Sequence, residues 1–379
     1  MDFNIIITQL DEHNEGNILI TKKFNPKEIY YIIDEKKIKA MKSVEDYYKE
    51  NFKNSKLLKI IIKEGNIEQL DKLLDKFKND KLLVNLTGGS RINSLVILNL
   101  CLKKQIKTIY INLKDKIIYN FEDMPTLVAE GFEDLEINDI INAAGGKIVE
   151  ESSDLCEKRD LIYFSKVIYS NLSIWHKYKQ KLYETSIFEH DNINTKRIYI
   201  NKNNLEKEEG ILLEKILDKL ESLKEINYKR EENRIIVEFK NSYLKGFIFK
   251  SGTWLEIATK NLVNKINEVD EVKNGVVFLW DSDNKSVRNE LDVVAIKDSI
   301  PICISCKDSD KYNETALNEL NVYANKIGGK DVYKILVATK EPIKSPVKIR
   351  AKEMGINLVI FDGDENKFIN IIRTIVKDK

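Results

Sequence analysis

The chain has 379 residues, with 62 Lys+Arg against 61 Asp+Glu and a formal net charge of +1. That length predicts two domains with room for a small third element, each large enough for its own core. The even charge balance excludes a histone-like coat or an acidic tail, though not a local basic groove. Hydrophobic residues at 42%, with 15 Gly and 5 Pro, exclude global disorder and collagen-like or Pro-rich chains.

Residues 3–8 (FNIIIT) read as a short buried strand. The opening MDFNIIITQLDEHN has no basic n-region and no small-residue cleavage site, so no secretory signal is expected. Residues 29–33 (IYYII) are a second strand, and 38–52 a helix with Met41, Val44, Tyr47 and Tyr48 at helical spacing. A third strand over 58–62 precedes a helix over 67–77, where Ile67, Leu70, Leu73, Leu74 and Phe77 share a face. Residues 82–86 are a strand, 92–102 an apolar helix and 108–113 a further strand. The longest mostly apolar run, 95–102, falls far short of the roughly 18–20 residues that span a bilayer, so no membrane association is expected. This alternation predicts an α/β fold with a doubly wound, mostly parallel sheet. Ligands of such sheets bind beyond the carboxyl ends of the strands.

That rule selects Asn85, Thr87, Gly88, Gly89, Ser90 and Arg91, between a buried strand and an apolar helix. The glycines allow close backbone approach, and a helix N-terminus favours an anion. The other reading is an ordinary turn with a Ser cap. Neither a dinucleotide fingerprint nor a Walker A loop is present. The polar rim after the first strand, with Thr8, Gln9 and Asn14, is the second candidate, and His13 lies within it. The strand, the NLTGGSR loop and the apolar helix resemble the CARF sensor domain of CRISPR-associated proteins. Residues 135–148 (LEINDIINAAGGKI) resemble the linker of CARF-containing nucleases. The resemblance implies a cyclic oligoadenylate bound at a homodimer interface. We therefore expect a Rossmann-like CARF domain over 1–134 and a linker over 135–157.

Residues 158–183 read as one long helix, with Trp175, Tyr178 and Tyr183 among His176, Lys177, Lys179 and Lys181. Such interleaving either stacks single-stranded nucleic acid or is a solvated helix with one packed aromatic edge. Residues 206–223 form an amphipathic helix, and 234–239 with 243–249 read as a hairpin. The whole segment 158–250 is a connector, either a winged-helix-like insert or part of the second domain.

The last part, 251–379, reads as helix 253–266, strands 276–280, 288–296 and 301–307, helix 314–327, strand 333–338, helix 346–354 and strand 356–361. Asp292 sits in one apolar strand, where an unpaired carboxylate is expensive, and Lys307 ends the next. Together they suit metal-assisted phosphodiester hydrolysis. The acid would hold Mg²⁺ or Mn²⁺, and the lysine would orient water or offset charge. The alternative is a plain salt bridge. The pattern resembles the PD-(D/E)xK restriction endonuclease-like core, with one departure, since Ser305 stands where the usual carboxylate would be. The resemblance implies that an acid on the following helix replaces it, and Glu319 fits better than Glu314. Glu256 matches the family's N-terminal acidic position, and Glu290 shares a strand face with Asp292. The implied catalytic set is Asp292, Lys307, Glu319, Glu256 and Glu290, with Asp292, Glu319 and Glu256 on the metal.

Other signals carry less. Cys303 and Cys306 are three apart in a strand, so they point to opposite faces. Four cysteines make no disulfide framework, which suits a cytoplasmic protein. Asp362-Gly363-Asp364 is a turn, since no other EF-hand ligands follow.

The joint pattern resembles the Can/Card class of CRISPR nucleases, a CARF sensor fused to a restriction endonuclease-like domain. It implies a homodimer activated by cyclic tetra-adenylate, cutting DNA or RNA to leave 5′-phosphates. Two alternatives stand beside it. One is a CARF-type, ligand-responsive DNA-binding regulator without nuclease activity. The other is an NAD-type enzyme, which the missing glycine fingerprint disfavours.

Overall fold

The computed structural model describes residues 3–122, 124–128, 132–249, 252–280 and 288–377. The expected boundary between 250 and 251 lies outside them. Among the described residues, no helix is long and apolar enough to cross a membrane.

Isoleucine-rich runs, stiff at χ1 and suited to a pleated surface, build the first sheet. The chain runs β1 (Ile5–Gln9), α1 (Glu15–Phe24), β2 (Glu28–Ile33), α2 (Ile38–Asn51), β3 (Lys56–Ile61), α3 (Ile67–Phe77), β4 (Leu82–Asn85), α4 (Arg91–Lys104), β5 (Lys107–Asn112), β6 (Ile117–Phe121) and β7 (Pro125–Val128). The strand order is β3-β2-β1-β4-β5-β6-β7. Five strands are parallel, as expected, while β6 and β7 add an antiparallel edge that the periodicity did not show. α1 was also hidden, because its buried residues mix Ile18, Leu19 and Ile20 with the polar Glu15, Asn17 and Thr21. The last two are satisfied there: Asn17 Nδ2 donates to the Gln9 carbonyl at 3.0 Å and Thr21 Oγ1 to the Asn17 carbonyl at 2.8 Å.

Next come α5 (Ile137–Ala143), β8 (Lys147–Glu150), α6 (Arg159–Tyr169), α7 (Leu172–Tyr178), β9 (Phe188–His190), β10 (Arg197–Asn201), α8 (Lys207–Ser222), β11 (Ile226–Arg230), β12 (Arg234–Phe239) and α9 (Ser242–Phe249). Two expectations are corrected. The helix over 158–183 is broken at Ser170-Asn171, and Lys179–Tyr183 is a 3₁₀ turn. Residues 243–249 are helical rather than extended, because Asn241 Oδ1 accepts from Leu244 N at 2.8 Å and starts α9. The hairpin is instead β11–β12, within the antiparallel sheet β11-β12-β10-β9.

The third sheet follows α10 (Thr253–Val263). It comprises β13 (Glu271–Leu279), β14 (Asn289–Lys297), β15 (Ile300–Lys307), α11 (Glu314–Gly328), β16 (Tyr333–Ala338), α12 (Pro346–Glu353), β17 (Ile356–Ile360) and α13 (Glu365–Lys377). Its order is β17-β16-β15-β14-β13-β8. β13, β14 and β15 are antiparallel, and β15, β16 and β17 parallel. Cys303 and Cys306 fall into separate core clusters on the two faces of β15, both buried and free. One core cluster runs from the first sheet through Ile137, Ile140 and Ile141 of α5 to Val294, Leu317 and Leu336.

Candidate active site and sensor rim

The antiparallel ladder between β14 and β15 is registered from Lys297–Ile300 to Val293–Ile304. Beyond it, the Asp292 carboxylate replaces a strand carbonyl. Its Oδ2 accepts from Cys306 N at 2.6 Å and from Ser305 Oγ at 3.0 Å. Lys307 Nζ lies 3.8 Å from the same oxygen. With side-chain exposures of 35% for Lys307 and 19% for Asp292, such a pair contributes only about 0–1 kcal/mol to stability. Ser305 thus donates to Asp292 at the position where the sequence resemblance implied an acid. Burial, with Asp292 and Glu256 adding negative charge, holds the neighbouring Cys306 thiol far above its usual range.

Glu256 on α10, Asp292 and Lys307 on the two strands, and Glu319 on α11 line one open cavity of about 550 Å³, with Lys311 on its wall. Four of the five expected catalytic residues therefore share one concave surface. Glu290 does not line it. It pairs with Val277 of β13 and is exposed. Glu314 is exposed at the start of α11. Carboxylate oxygens are the donors that Mg²⁺ and Mn²⁺ prefer, so the set fits such an ion chemically. Among the described residues, no three His, Cys, Asp or Glu side chains group closely enough to hold one. Mg²⁺ commonly uses one or two carboxylates and keeps several waters, which suits this spacing.

The sequence reading missed Asp308, next to Lys307. Its side chain is fully buried. Oδ2 accepts from Trp175 Nε1 at 2.7 Å and Trp254 Nε1 at 2.9 Å. Oδ1 accepts from Thr339 Oγ1 at 2.8 Å, with Lys179 Nζ at 3.0 Å and His176 Nε2 at 3.4 Å. Burial opposes ionisation, but the two indole N–H groups, Lys179 and Thr339 outweigh it and hold the carboxyl below its usual range. Burial lowers His176, against the pull of Asp308. Trp175, His176 and Lys179 are thus the packed edge of their segment.

On the sensor rim, Thr8, Gln9, Asn14 and Asn85 are buried. Asn85 Nδ2 donates to Asn17 Oδ1 at 2.8 Å, and Thr8 Oγ1 bonds the same oxygen. Thr87 Oγ1 donates to Asn85 Oδ1 at 2.6 Å, and Gly89 N to Asp11 Oδ2 at 2.7 Å. Gly89 has φ +92°, and a Cβ there would lie 2.3 Å from Gln9 Cβ, so only glycine fits. The Cβ of any residue replacing Gly88 would meet Asp11 at 3.1 Å. Gln9 Nε2 donates to Ser94 Oγ at 2.8 Å, while its Oε1 is buried without a partner. Ser90 stands at the N-cap position of α4 without a side-chain cap, its hydroxyl meeting Glu64 instead, while Arg91 is exposed. Asn14 Oδ1 accepts from Asp11 N at 3.1 Å and from Asn17 Nδ2 at 3.0 Å. Asn14 Nδ2 donates to the Ala143 carbonyl of α5 at 3.0 Å.

The family model for Card1-like endonuclease domains matches residues 245–379. This part of the chain is therefore similar to Card1-like endonuclease domains. No curated protein sequence matches the chain. Among solved structures, Can2 from Sulfobacillus thermosulfidooxidans, in complex with cyclic tetra-adenylate, matches 98% of this chain and 99% of its own with TM-score 0.72 at 16% identity. Protein VC1899 from Vibrio cholerae matches 98% of both chains with TM-score 0.75 at 16% identity. A type III CRISPR defence DNA nuclease activated by cyclic oligoadenylate matches 98% of this chain with TM-score 0.55 at 13% identity. The chain spans about half (52%) of its length. The fold is therefore the expected α/β one, with a mostly parallel first sheet, and it is similar along nearly the whole chain to that of Can2.

Proposed function

We propose that the protein is an ancillary nuclease of a type III CRISPR system, switched on by cyclic tetra-adenylate. The observation that carries this reading is the convergence of Glu256, Asp292, Lys307 and Glu319 on one cavity of a Card1-like endonuclease domain. The activator is inferred from the Can2 fold and its bound ligand. In this reading residues 1–134 sense the activator, 135–157 link, 158–250 connect and 251–379 cut, in a cytoplasmic homodimer. Thr8, Gln9, Asn14, Asn85, Thr87, Gly88, Gly89, Ser90 and Arg91 form the ligand rim. Arg91 offers an exposed cation, and Gln9 Oε1 a buried acceptor in want of a donor.

The chemistry is metal-dependent phosphodiester hydrolysis of DNA, RNA or both. One or two of the carboxylates of Asp292, Glu256 and Glu319 would hold Mg²⁺ or Mn²⁺ with water as the other ligands, and Glu290, exposed outside the cavity, takes no part. A divalent cation there supplies phosphate polarisation and an acidified water. Asp292 is held ready by Ser305 and the Cys306 N–H. Lys307 brings a positive charge to the same point, where it orients the attacking water and offsets charge developing on phosphate. A two-fold symmetric cyclic ligand suits an isologous dimer site. It activates only in so far as it binds the cutting arrangement better than the resting one.

The test is cleavage of plasmid, single-stranded DNA and RNA with Mn²⁺, with and without cyclic tetra-adenylate. Lys307→Ala is expected to abolish cutting and leave activator binding intact. Equal loss of both counts against the assignment. Activator binding with no cutting by the wild type returns the protein to the regulator reading.

A further inference from the structure

We propose that Asp308 is the positioning residue of the nuclease site, its buried carboxylate fixing the helix that carries Glu256 against the strand end that carries Lys307. The inference rests on the nuclease reading of that cavity.

Asp308 follows Lys307 directly, so anything that fixes its side chain fixes the Lys307 backbone. Thr339 holds this strand end twice, through its N–H on the Lys307 carbonyl at 3.2 Å and its hydroxyl on Asp308. Lys179 does likewise, contacting both the carbonyl and the carboxylate of Asp308. On the other side, Trp254 stands two residues before Glu256 on α10, and its indole N–H ends on Asp308 Oδ2. One carboxylate thus ties the Lys307 strand, the Glu256 helix and the end of β16 to a common point. Stability alone does not explain a charge there, since well-packed apolar residues commonly replace buried ion pairs at no loss. The position beside two proposed catalytic side chains does, because small displacements of reacting groups are expensive in rate.

The two indoles make the idea testable. Trp175 and Trp254 each give one hydrogen bond to the same oxygen, but Trp175 lies on α7, which carries no catalytic side chain. Trp254→Phe, Trp175→Phe and Thr339→Val each remove one donor from the full-length protein. Turnover would be measured with cyclic tetra-adenylate and Mn²⁺, Mn²⁺ affinity by calorimetry without nucleic acid, and Tm by thermal melting. We expect Trp254→Phe and Thr339→Val to lower kcat about ten- to hundred-fold with KM within about two-fold, and Trp175→Phe to stay within about three-fold of wild type. Mn²⁺ affinity should fall in Trp254→Phe and hold in Trp175→Phe. Losses that follow Tm equally across all three variants overturn the proposal, as does unchanged Mn²⁺ affinity in Trp254→Phe. A wild type that binds Mn²⁺ but cuts nothing sinks the nuclease reading, while the affinity comparison still decides the role of Asp308.

Discussion

Ser305 gives Asp292 a neutral donor where a second carboxylate would give it a repelling neighbour. The site therefore carries less uncompensated negative charge before a cation arrives. Ser305→Asp would place two acids in contact, and like charges at that range disfavour ionisation of both. The variant is expected to melt below wild type in EDTA and to gain more from Mn²⁺ than wild type does. An equal metal response in both proteins would show that Ser305 does not face the ion. Ser305→Ala removes the donor alone and should cost about 1 kcal/mol of stability.

His176 gives a pH signature. Burial lowers its pKa in the folded state, so the unfolded chain binds the proton more readily. Its contribution to stability is therefore full above about pH 6.5 and is lost as pH falls below that ordinary value. Asp308 acts lower on the scale. Its depressed pKa gives stability present above the ordinary carboxyl value and lost only in stronger acid. Urea midpoints taken from pH 7.5 to 5 should fall in the wild type and fall less in His176→Gln. Parallel slopes would mean that His176 is not the group responsible. His13, raised mainly by its bond to Glu15, pulls the opposite way in both proteins and cancels from the difference.

At the scale of elements, α4 stands out. It begins at the sensor rim and leaves Ile92, Leu95 (65% exposed) and Leu102 open along one stripe. In the proposed homodimer that stripe faces a second copy beside the ligand. Leu95→Glu should shift the protein to monomer in sedimentation and abolish activation, with Tm of the protomer within about 1–2 °C because the position is exposed. Retained dimerisation would place the interface elsewhere. The elements that were legible in the sequence are those with local signals. The parallel strands of the first sheet declared themselves as short apolar runs, Asp292 and Lys307 by their chemistry on neighbouring strands, and Glu256 and Glu319 through the resemblance to the PD-(D/E)xK core. The misread ones depend on partners. Residues 243–249 are a short apolar run, and periodicity alone does not separate strand from helix there. The Asn241 side chain decides it. α1 hid because buried polar residues interrupt its apolar ones, and Asp308 because its ligand Trp175 lies 133 positions away.

At the scale of the molecule, α5 is the joint. Asp139 on it meets Lys22 and Tyr47 of the first domain, and the backbone N–H of its first residue, Ile137, meets Glu271 of β13 at 2.7 Å. Its apolar face belongs to the core cluster shared by the first and third sheets. A shared core makes cooperative loss the expectation, so calorimetry should show one transition. Ile141→Ala should lower it as a whole by about 2–5 kcal/mol. Two separate transitions would show that the sheets melt independently. The same joint connects the two proposed sites, since Asn14 bonds α5, and α5 touches β14 and α11, which bear Asp292 and Glu319.

The strand β8 has a consequence for anyone who would treat this protein as interchangeable parts. It seals the edge of β13 yet is encoded well upstream of the endonuclease match, as are Trp175 and Lys179. A fragment cut at 245 would present a bare β13 edge open to other chains and a charged side chain deprived of two of its partners. A fragment beginning at 245 should therefore aggregate, and one beginning at 135, which keeps β8, Trp175 and Lys179 but bares the face of α5 that packs on the first sheet, should aggregate less.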